Sequence, residues 1–138
     1  MTPEQVQLVQ DSFRQVVPIK EKAAELFYAR LFETDPTAAP LFANSSMAEQ
    51  GTKLMTALAF VVNALKRPEE VVPVAQAMAK RHVGYGVSDA QYDTVGAALL
   101  WTLGQGLGAA FTPDVRDAWT AAYGLLSGVM LEAAREVA

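Results

Sequence analysis

The sequence predicts an all-α domain of about six main helices plus a short one, and three observations favour this fold class. Apolar residues recur at the three- and four-residue spacing of helices, capping residues and prolines stand where helices should begin, and no stretch shows the alternation of a strand. The 138 residues are enough for one hydrophobic core, so we expect a single domain over residues 1–138.

The helix boundaries are marked by local signals. Thr2, Pro3 and Gln5 form a capping box with proline at the first helical position, and Pro18 ends or sharply bends that helix. A second capping box runs from Ser88 to Gln91. The other segments are predicted at 20–34, 36–42 (short and turn-like), 47–65, from 68 to a glycine-rich loop at 84–86, at 89–110 and at 113–136.

Charge and composition exclude several classes of function. A net charge of −4 leaves no basic stripe for nucleic acid or anionic lipid. The absence of cysteine excludes a thiolate nucleophile and sulfur-ligated metal sites, so His82, the only histidine, is the obvious candidate for a metal ligand. The uncharged run at 97–111 is too short for a membrane span, and the N-terminus has no basic and apolar leader, so we expect a cytoplasmic protein.

Three polar side chains interrupt the apolar stripes of the predicted helices. Tyr28 lies on the inward face of the second helix, Gln50 one turn before Leu54, and His82 one turn after Met78. A polar group on a buried stripe costs on the order of a few kcal/mol unless it has a partner. The three either find backbone or water partners in an ordinary core, or share a planar apolar cofactor with His82 on one side. Periodicity alone does not choose between these interpretations.

Short motifs at these positions resemble those of bacterial globins related to flavohaemoglobins. They occur in the same order along essentially the whole chain, and the resemblance is to the single-domain members of that group. It implies a globin fold with three-over-three helix packing around a haem b group. The motifs are Leu26-Phe27-Tyr28, Pro40-Leu41-Phe42, Gln50-x-x-Lys53-Leu54, Arg81-His82, Tyr85-Gly86-Val87, Gln91-Tyr92, Val95-Gly96 and Leu99-Leu100.

The resemblance implies a role for each matching residue. His82 corresponds to the proximal iron ligand, Tyr28 and Gln50 to the distal residues that bind the diatomic ligand, and Phe42 to the phenylalanine that stacks on haem. The alternatives are a core tyrosine bonded to a backbone carbonyl for Tyr28 and a solvent-facing amide for Gln50. The remaining matches are the apolar pocket residues Leu54, Met78, Val87 and Val95, the proximal tyrosine Tyr92, and Lys53 and Arg81, which either pair with haem propionates or remain solvated cations.

The sequence also departs from the flavohaemoglobin pattern. The family places a glutamate eleven residues after Tyr123, where this chain has Ala134, and Glu132 would point elsewhere on the helix. Because that glutamate strengthens electron donation by the proximal histidine, we expect less peroxidase-like character. The loop after Phe42 carries an added residue, which affects the placement of Gln50. The chain ends at Ala138 without a reductase domain, so turnover would need an external reductase.

These features predict a haem protein that reversibly binds dioxygen, nitric oxide or carbon monoxide at ferrous iron, for oxygen binding, storage, transport or sensing. The alternatives are a nitric oxide dioxygenase or peroxidase-like enzyme that depends on a separate reductase, and a haem-free helical interaction module. Both monomer and homodimer are compatible with the sequence.

Glycines in the last two predicted helices suggest close helix packing. Gly104 and Gly108 fall on one helix and Gly124 and Gly128 on the next. If the two helices pair antiparallel, Trp101 comes near Gly124 and Trp119 near Gly106. We therefore expect these glycines to accept the indole rings.

Overall fold

The computed structural model describes residues 1–42, 46–85 and 87–137, and within them the chain forms α-helices and 3₁₀ segments without a strand. The predicted all-α fold class is confirmed. No described helix is both long and apolar enough to cross a membrane. The α-helices are α1 (Pro3–Val16), α2 (Lys20–Thr34), α3 (Met47–Ala64), α4 (Pro68–Tyr85), α5 (Asp89–Leu107) and α6 (Pro113–Val137), and the 3₁₀ segments are Val17–Ile19, Pro36–Phe42 and Gly108–Ala110.

The helix ends follow the predicted local chemistry with two differences. The Thr2 hydroxyl accepts a hydrogen bond from the Gln5 amide at 3.1 Å while the Gln5 side chain accepts from the Thr2 amide at 3.0 Å, which confirms the first capping box. Helix α5 ends three residues earlier than predicted, because Gly108 takes a positive φ of 55° and the chain continues as a 3₁₀ turn. Helix α4 runs on to Tyr85, past the position where a loop was predicted.

The residues that the structure describes form two apolar clusters in the interior. The first joins α1, α2, α3, α5 and α6 around Val9, Phe27 and Leu103. The second joins the end of α3 to α4, the start of α5 and the end of α6 around Ala75 and Met130. Leu126 on α6 packs against both clusters. Helix α4 therefore reaches the rest of the domain mainly through α6, whereas α2 packs mainly against α5.

The predicted packing of indoles on glycines is wrong. The Trp119 indole nitrogen donates to the Ser12 hydroxyl on α1 at 2.8 Å, and the Arg30 guanidinium of α2 lies 5.0 Å from the centre of the Trp101 ring. A Cβ atom added at Gly124 would meet nothing within 4 Å outside its own helix. Both indoles instead face other helices, where a hydrogen bond or a cation–π contact satisfies them.

Candidate functional site

Tyr28, Phe42 and Gln50, predicted to lie together, do so in the structure. The Tyr28 and Phe42 rings meet edge to face with centroids 5.4 Å apart, and Phe32 packs on Phe42 at 5.6 Å. The Tyr28 hydroxyl donates to the main-chain carbonyl of Gln50 at 3.3 Å, so the structure shows the backbone partner that was the alternative interpretation of this tyrosine. A separation of 3.3 Å is long for a hydroxyl donor, which indicates a weak hydrogen bond.

The close approach of α2 and α3 brings Tyr28 to Gln50. Gly51 is buried, and a Cβ atom at this position would lie 3.0 Å from the Cβ of Ala24. Ala24 precedes Tyr28 by one helical turn, so the contact of these two small residues places the tyrosine against the first turn of α3. The loop before α3, for which an added residue was predicted, falls at 43–45 and lies outside the described residues.

Burial keeps the Tyr28 phenol protonated. The side chain is buried, and this burial raises its pKa to about 12. The hydroxyl therefore remains a hydrogen-bond donor at neutral pH. Gln50 is partly buried at the start of α3, so its side chain is neither fully in the core nor fully in solvent.

His82 lies near the end of α4 with its ring oriented by its own helix. Its Nδ1 atom is 2.6 Å from the carbonyl oxygen of Met78, and because a carbonyl only accepts, Nδ1 carries the proton. In the neutral ring the lone pair is then on Nε2. Burial lowers the pKa of His82, and the Arg81 charge lowers it further. The hydrogen bond to the Met78 carbonyl raises this pKa but does not outweigh burial. The neutral ring and this tautomer are the form that ligates metals.

Tyr92 lies on the His82 side of the site. Its ring is buried and its centroid is 6.4 Å from that of His82. The Tyr92 hydroxyl is buried without a hydrogen-bond partner among the described residues, and Ala134, where a glutamate was expected from the family pattern, is also buried. Among the described residues, no carboxylate accepts a hydrogen bond from Tyr92.

Sequence reasoning missed the residue that fixes Tyr92. Tyr123 on α6 donates from its hydroxyl to the Tyr92 carbonyl, and its ring packs on Gly96, where an added Cβ would come within 2.7 Å of a ring carbon. Burial raises the pKa of Tyr123, as do the nearby charges of Tyr92 and Asp93. The signal that could have found this contact is the glycine one turn after Tyr92, on a buried helix face.

The other predicted site residues divide between the clusters and the surface. Leu54 and Val95 pack against the first cluster, and Met78 and Val87 pack against the second. Lys53 and Arg81 are exposed, and neither takes part in an ion pair between described residues. The tyrosine group and the histidine group thus lie at two different apolar clusters of one domain.

The described part of the chain is all-α, with a buried tyrosine at one apolar cluster and, near the end of α4, a histidine whose ring leaves Nε2 as the atom with a lone pair. The globin family model matches residues 25–130. This match spans most of the chain, and the protein belongs to the globin family.

The most similar sequences found include flavohemoproteins. The chain is 30% identical to one from Deinococcus radiodurans over 133 residues, which cover 95% of this chain and 33% of the relative. It is 33% identical to one from Bordetella parapertussis over 107 residues, which cover 76% of this chain and 27% of the relative. It is 27% identical to one from Bacillus subtilis over 124 residues, which cover 86% of this chain and 31% of the relative. The chain spans about a third of the length of these relatives, and it is a globin related to flavohaemoglobins.

Membership of the globin family implies a haem cofactor, and two observations show that the residues present fit one. The His82 tautomer directs a lone pair to Nε2, which is the atom an iron ligand must offer. Beside it, the Tyr92 hydroxyl is a buried donor that lacks an acceptor among the described residues, which is unusual in a core whose polar atoms are otherwise satisfied.

Proposed function

We propose that the protein binds haem b through His82 and takes a diatomic ligand such as dioxygen, reversibly, on the tyrosine side of the group. The observation that carries the proposal is the hydrogen bond from His82 Nδ1 to the Met78 carbonyl, which leaves the lone pair of the neutral ring on Nε2, the ligating tautomer. When bound, haem supplies an iron centre with an open position for a small gas molecule. Storage, transport or sensing of oxygen would follow from such binding.

The remaining predicted residues would hold the cofactor. Phe42, already packed on Tyr28, would stack against its face. Lys53 and Arg81 are exposed and carry the charge to pair with its propionates. Leu54, Met78, Val87 and Val95 would surround it with hydrocarbon and exclude water, because each already packs against one of the two apolar clusters.

Tyr28 would hold the ligand by redirecting its proton. Its hydroxyl hydrogen turns about the C–O bond, so it can leave the Gln50 carbonyl without movement of the ring. The present bond is long and weak, so little is lost in the exchange. A hydrogen bond to a ligand that carries partial negative charge contributes about 1.5–3 kcal/mol. The Gln50 amide, in the first turn of α3, would be the second donor.

A nitric oxide dioxygenase that depends on a separate reductase is the second candidate function. It is supported by the similarity to proteins named flavohemoproteins. Peroxidase-like chemistry is less favoured, because within the described ranges no carboxylate accepts from the Tyr92 hydroxyl to reinforce His82.

The absorption spectrum of the purified protein, reduced under argon and then exposed to air, tests the proposal. We expect a five-coordinate ferrous spectrum that converts to a stable oxygenated one. The His82→Ala variant should lose or loosen its haem, whereas Gln76→Ala, at an exposed position of the same helix, should keep it. A colourless protein that takes up no added haem would overturn the cofactor assignment and leave the haem-free interaction module. Rapid consumption of nitric oxide with excess reductant would favour the dioxygenase.

A further inference from the structure

One side-chain contact joins the 3₁₀ segment Pro36–Phe42 to the first turn of α5. The Gln91 side-chain oxygen accepts a hydrogen bond from the Ser88 amide at 2.9 Å, and its nitrogen Nε2 donates to the Thr37 hydroxyl at 3.5 Å. Gln91 and Thr37 are 54 residues apart in the sequence. In the part of the chain that the structure describes, no other hydrogen bond links this segment to α5. We call the contact from Gln91 to Thr37 the Gln91 bridge.

Thr37 is oriented to accept this hydrogen bond. Its hydroxyl donates to the Asp35 carboxylate, and its main-chain amide donates to the same oxygen at 3.1 Å. A hydroxyl has one proton and two lone pairs, so the proton given to Asp35 leaves the lone pairs for Gln91. Donation to a carboxylate also polarises the hydroxyl and strengthens it as an acceptor. Asp35 therefore sets the direction of the Gln91 bridge.

The two ends of the Gln91 bridge lie next to the two sides of the candidate site. Phe42, which would stack on haem, ends the 3₁₀ segment in which Thr37 lies. On the other side, Gln91 is adjacent in the chain to Tyr92, whose ring lies beside that of His82. The bridge thus joins the segment of Phe42 to the start of the helix that packs beside the histidine.

We propose that Gln91 is a positioning residue for the haem site, which holds the segment of Phe42 close to the start of α5 and thereby slows the loss of haem. A planar group leaves a pocket of this kind when the segments around it open locally, and a hydrogen bond between two such segments opposes the opening. The part of the proposal that concerns haem rests on the proposed function. The part that concerns the contact rests on the distances among Ser88, Gln91, Thr37 and Asp35.

The rate at which the full-length protein transfers haem to excess apomyoglobin tests the positioning role. Thr37→Val removes the hydroxyl and should speed the transfer roughly two- to threefold, the lower end of what one hydrogen bond supplies, because 3.5 Å is long for an N–H donor. Thr37→Ser keeps the hydroxyl and should transfer haem at the wild-type rate. The matched control is Thr94→Val, which removes a hydroxyl bonded only within α5 and should leave the rate unchanged.

A glutamate at position 91 separates the bridge from the local contact at the start of α5. Gln91→Glu keeps an oxygen for the Ser88 amide but has no proton to give to Thr37, so it should speed haem transfer about as much as Thr37→Val. The double variant should be no faster than the faster single variant, because both changes remove the same hydrogen bond. Multiplied effects, or Thr37→Val at the wild-type rate, would overturn the positioning role.

The contact itself is tested whether or not haem is bound. A nuclear Overhauser effect between the Gln91 side-chain amide and the Thr37 methyl group is measured in the protein as purified, under carbon monoxide if haem is present, so that the iron is diamagnetic. We expect this signal, and its absence would overturn the bridge even in a protein with a normal oxygenated spectrum. The signal in a colourless protein would support the bridge and overturn the haem assignment instead. If Thr37→Val does not fold, as judged by circular dichroism, Gln91→Glu decides.

Discussion

The hydroxyl of Tyr123 donates a hydrogen bond to the main-chain carbonyl of Tyr92, thirty-one residues earlier in the chain. The same tyrosine covers Gly96 with its ring, so its hydroxyl and its face both hold α5 against α6. Tyr92 in turn lies beside His82. Tyr123 therefore links α6 to Tyr92, the residue that lies beside His82.

Loss of the Tyr123 hydroxyl should destabilise the fold by a modest amount. The Tyr123→Phe variant keeps the ring on Gly96 and removes only the hydrogen bond to Tyr92. A typical hydrogen bond contributes about 0.5–1.5 kcal/mol, so the free energy of unfolding should fall by about that amount in urea denaturation. Thr120→Val, which removes a hydroxyl bonded only within α6, is the control, and an equal loss there would contradict a specific role for Tyr123.

A methyl group at position 96 should be costly, because it meets the Tyr123 ring. In Gly96→Ala the new Cβ would lie 2.7 Å from a ring carbon. Overpacking of this kind costs about 1–3 kcal/mol, measured as a lower free energy of unfolding. Gly124→Ala, where an added Cβ meets nothing within 4 Å, should instead gain about 0.5–1 kcal/mol. The double variant Gly96→Ala with Tyr123→Leu should cost less than the sum of the single changes, and strict additivity would argue against the contact.

Substitution of Gly51 should disturb the tyrosine side of the site. In Gly51→Ala the new Cβ would lie 3.0 Å from the Cβ of Ala24, so α3 must move away from α2. The Tyr28 hydroxyl and the Gln50 carbonyl would separate, and the free energy of unfolding should fall by about 1–3 kcal/mol. Addition of Ala24→Gly, which restores the space, should recover part of this loss. A double variant no more stable than Gly51→Ala would show that the two residues do not limit the approach of the helices.

Tyr28 should make stability depend on pH in the alkaline range. Burial raises its pKa to about 12 in the folded chain from an ordinary value near 10. Between these values the unfolded chain loses the phenol proton and the folded chain keeps it, so the free energy of unfolding falls as pH rises. The contribution of Tyr28 is fully present below pH 10 and amounts to roughly 2–3 kcal/mol over the window.

Urea denaturation at intervals from pH 9 to pH 12 measures this contribution. The Tyr28→Phe variant should show a flatter pH dependence than the wild type. Phe32→Leu, which alters the same aromatic group without a titrating group, should keep the wild-type slope. Parallel curves for the wild type and Tyr28→Phe would show that Tyr28 titrates alike in the folded and unfolded chains.

The helices were predictable because their signals are local. The Thr2 capping box, the proline before α6 and the apolar spacing each depend on residues within one or two turns. The approach of Tyr28, Phe42 and Gln50 was also predictable, since the resemblance to a known family supplied the tertiary arrangement that periodicity lacks. Single-residue details at helix ends, such as the positive φ of Gly108, could not be predicted from these signals.

Contacts that depend on how helices cross could not be predicted. The Trp119 nitrogen reaches Ser12 across 107 residues, and no local pattern links the two. The expected meeting of indoles and glycines assumed that α5 and α6 turn these residues toward each other. In the folded chain the Trp119 indole bonds to a hydroxyl of α1, and the Trp101 indole contacts a guanidinium of α2. Helices α5 and α6 contact each other through Gly96 and Tyr123 instead.

The hydrogen bond between His82 and Met78 joins two residues of the same helix. This bond orients the imidazole relative to the backbone of α4. Small side chains, among them Ala75, Ala79 and Ala133, form much of the second cluster, where α4 meets α6. A displacement of α4 along α6 would therefore move the His82 ring together with its helix, because the Met78 carbonyl that holds Nδ1 moves with it.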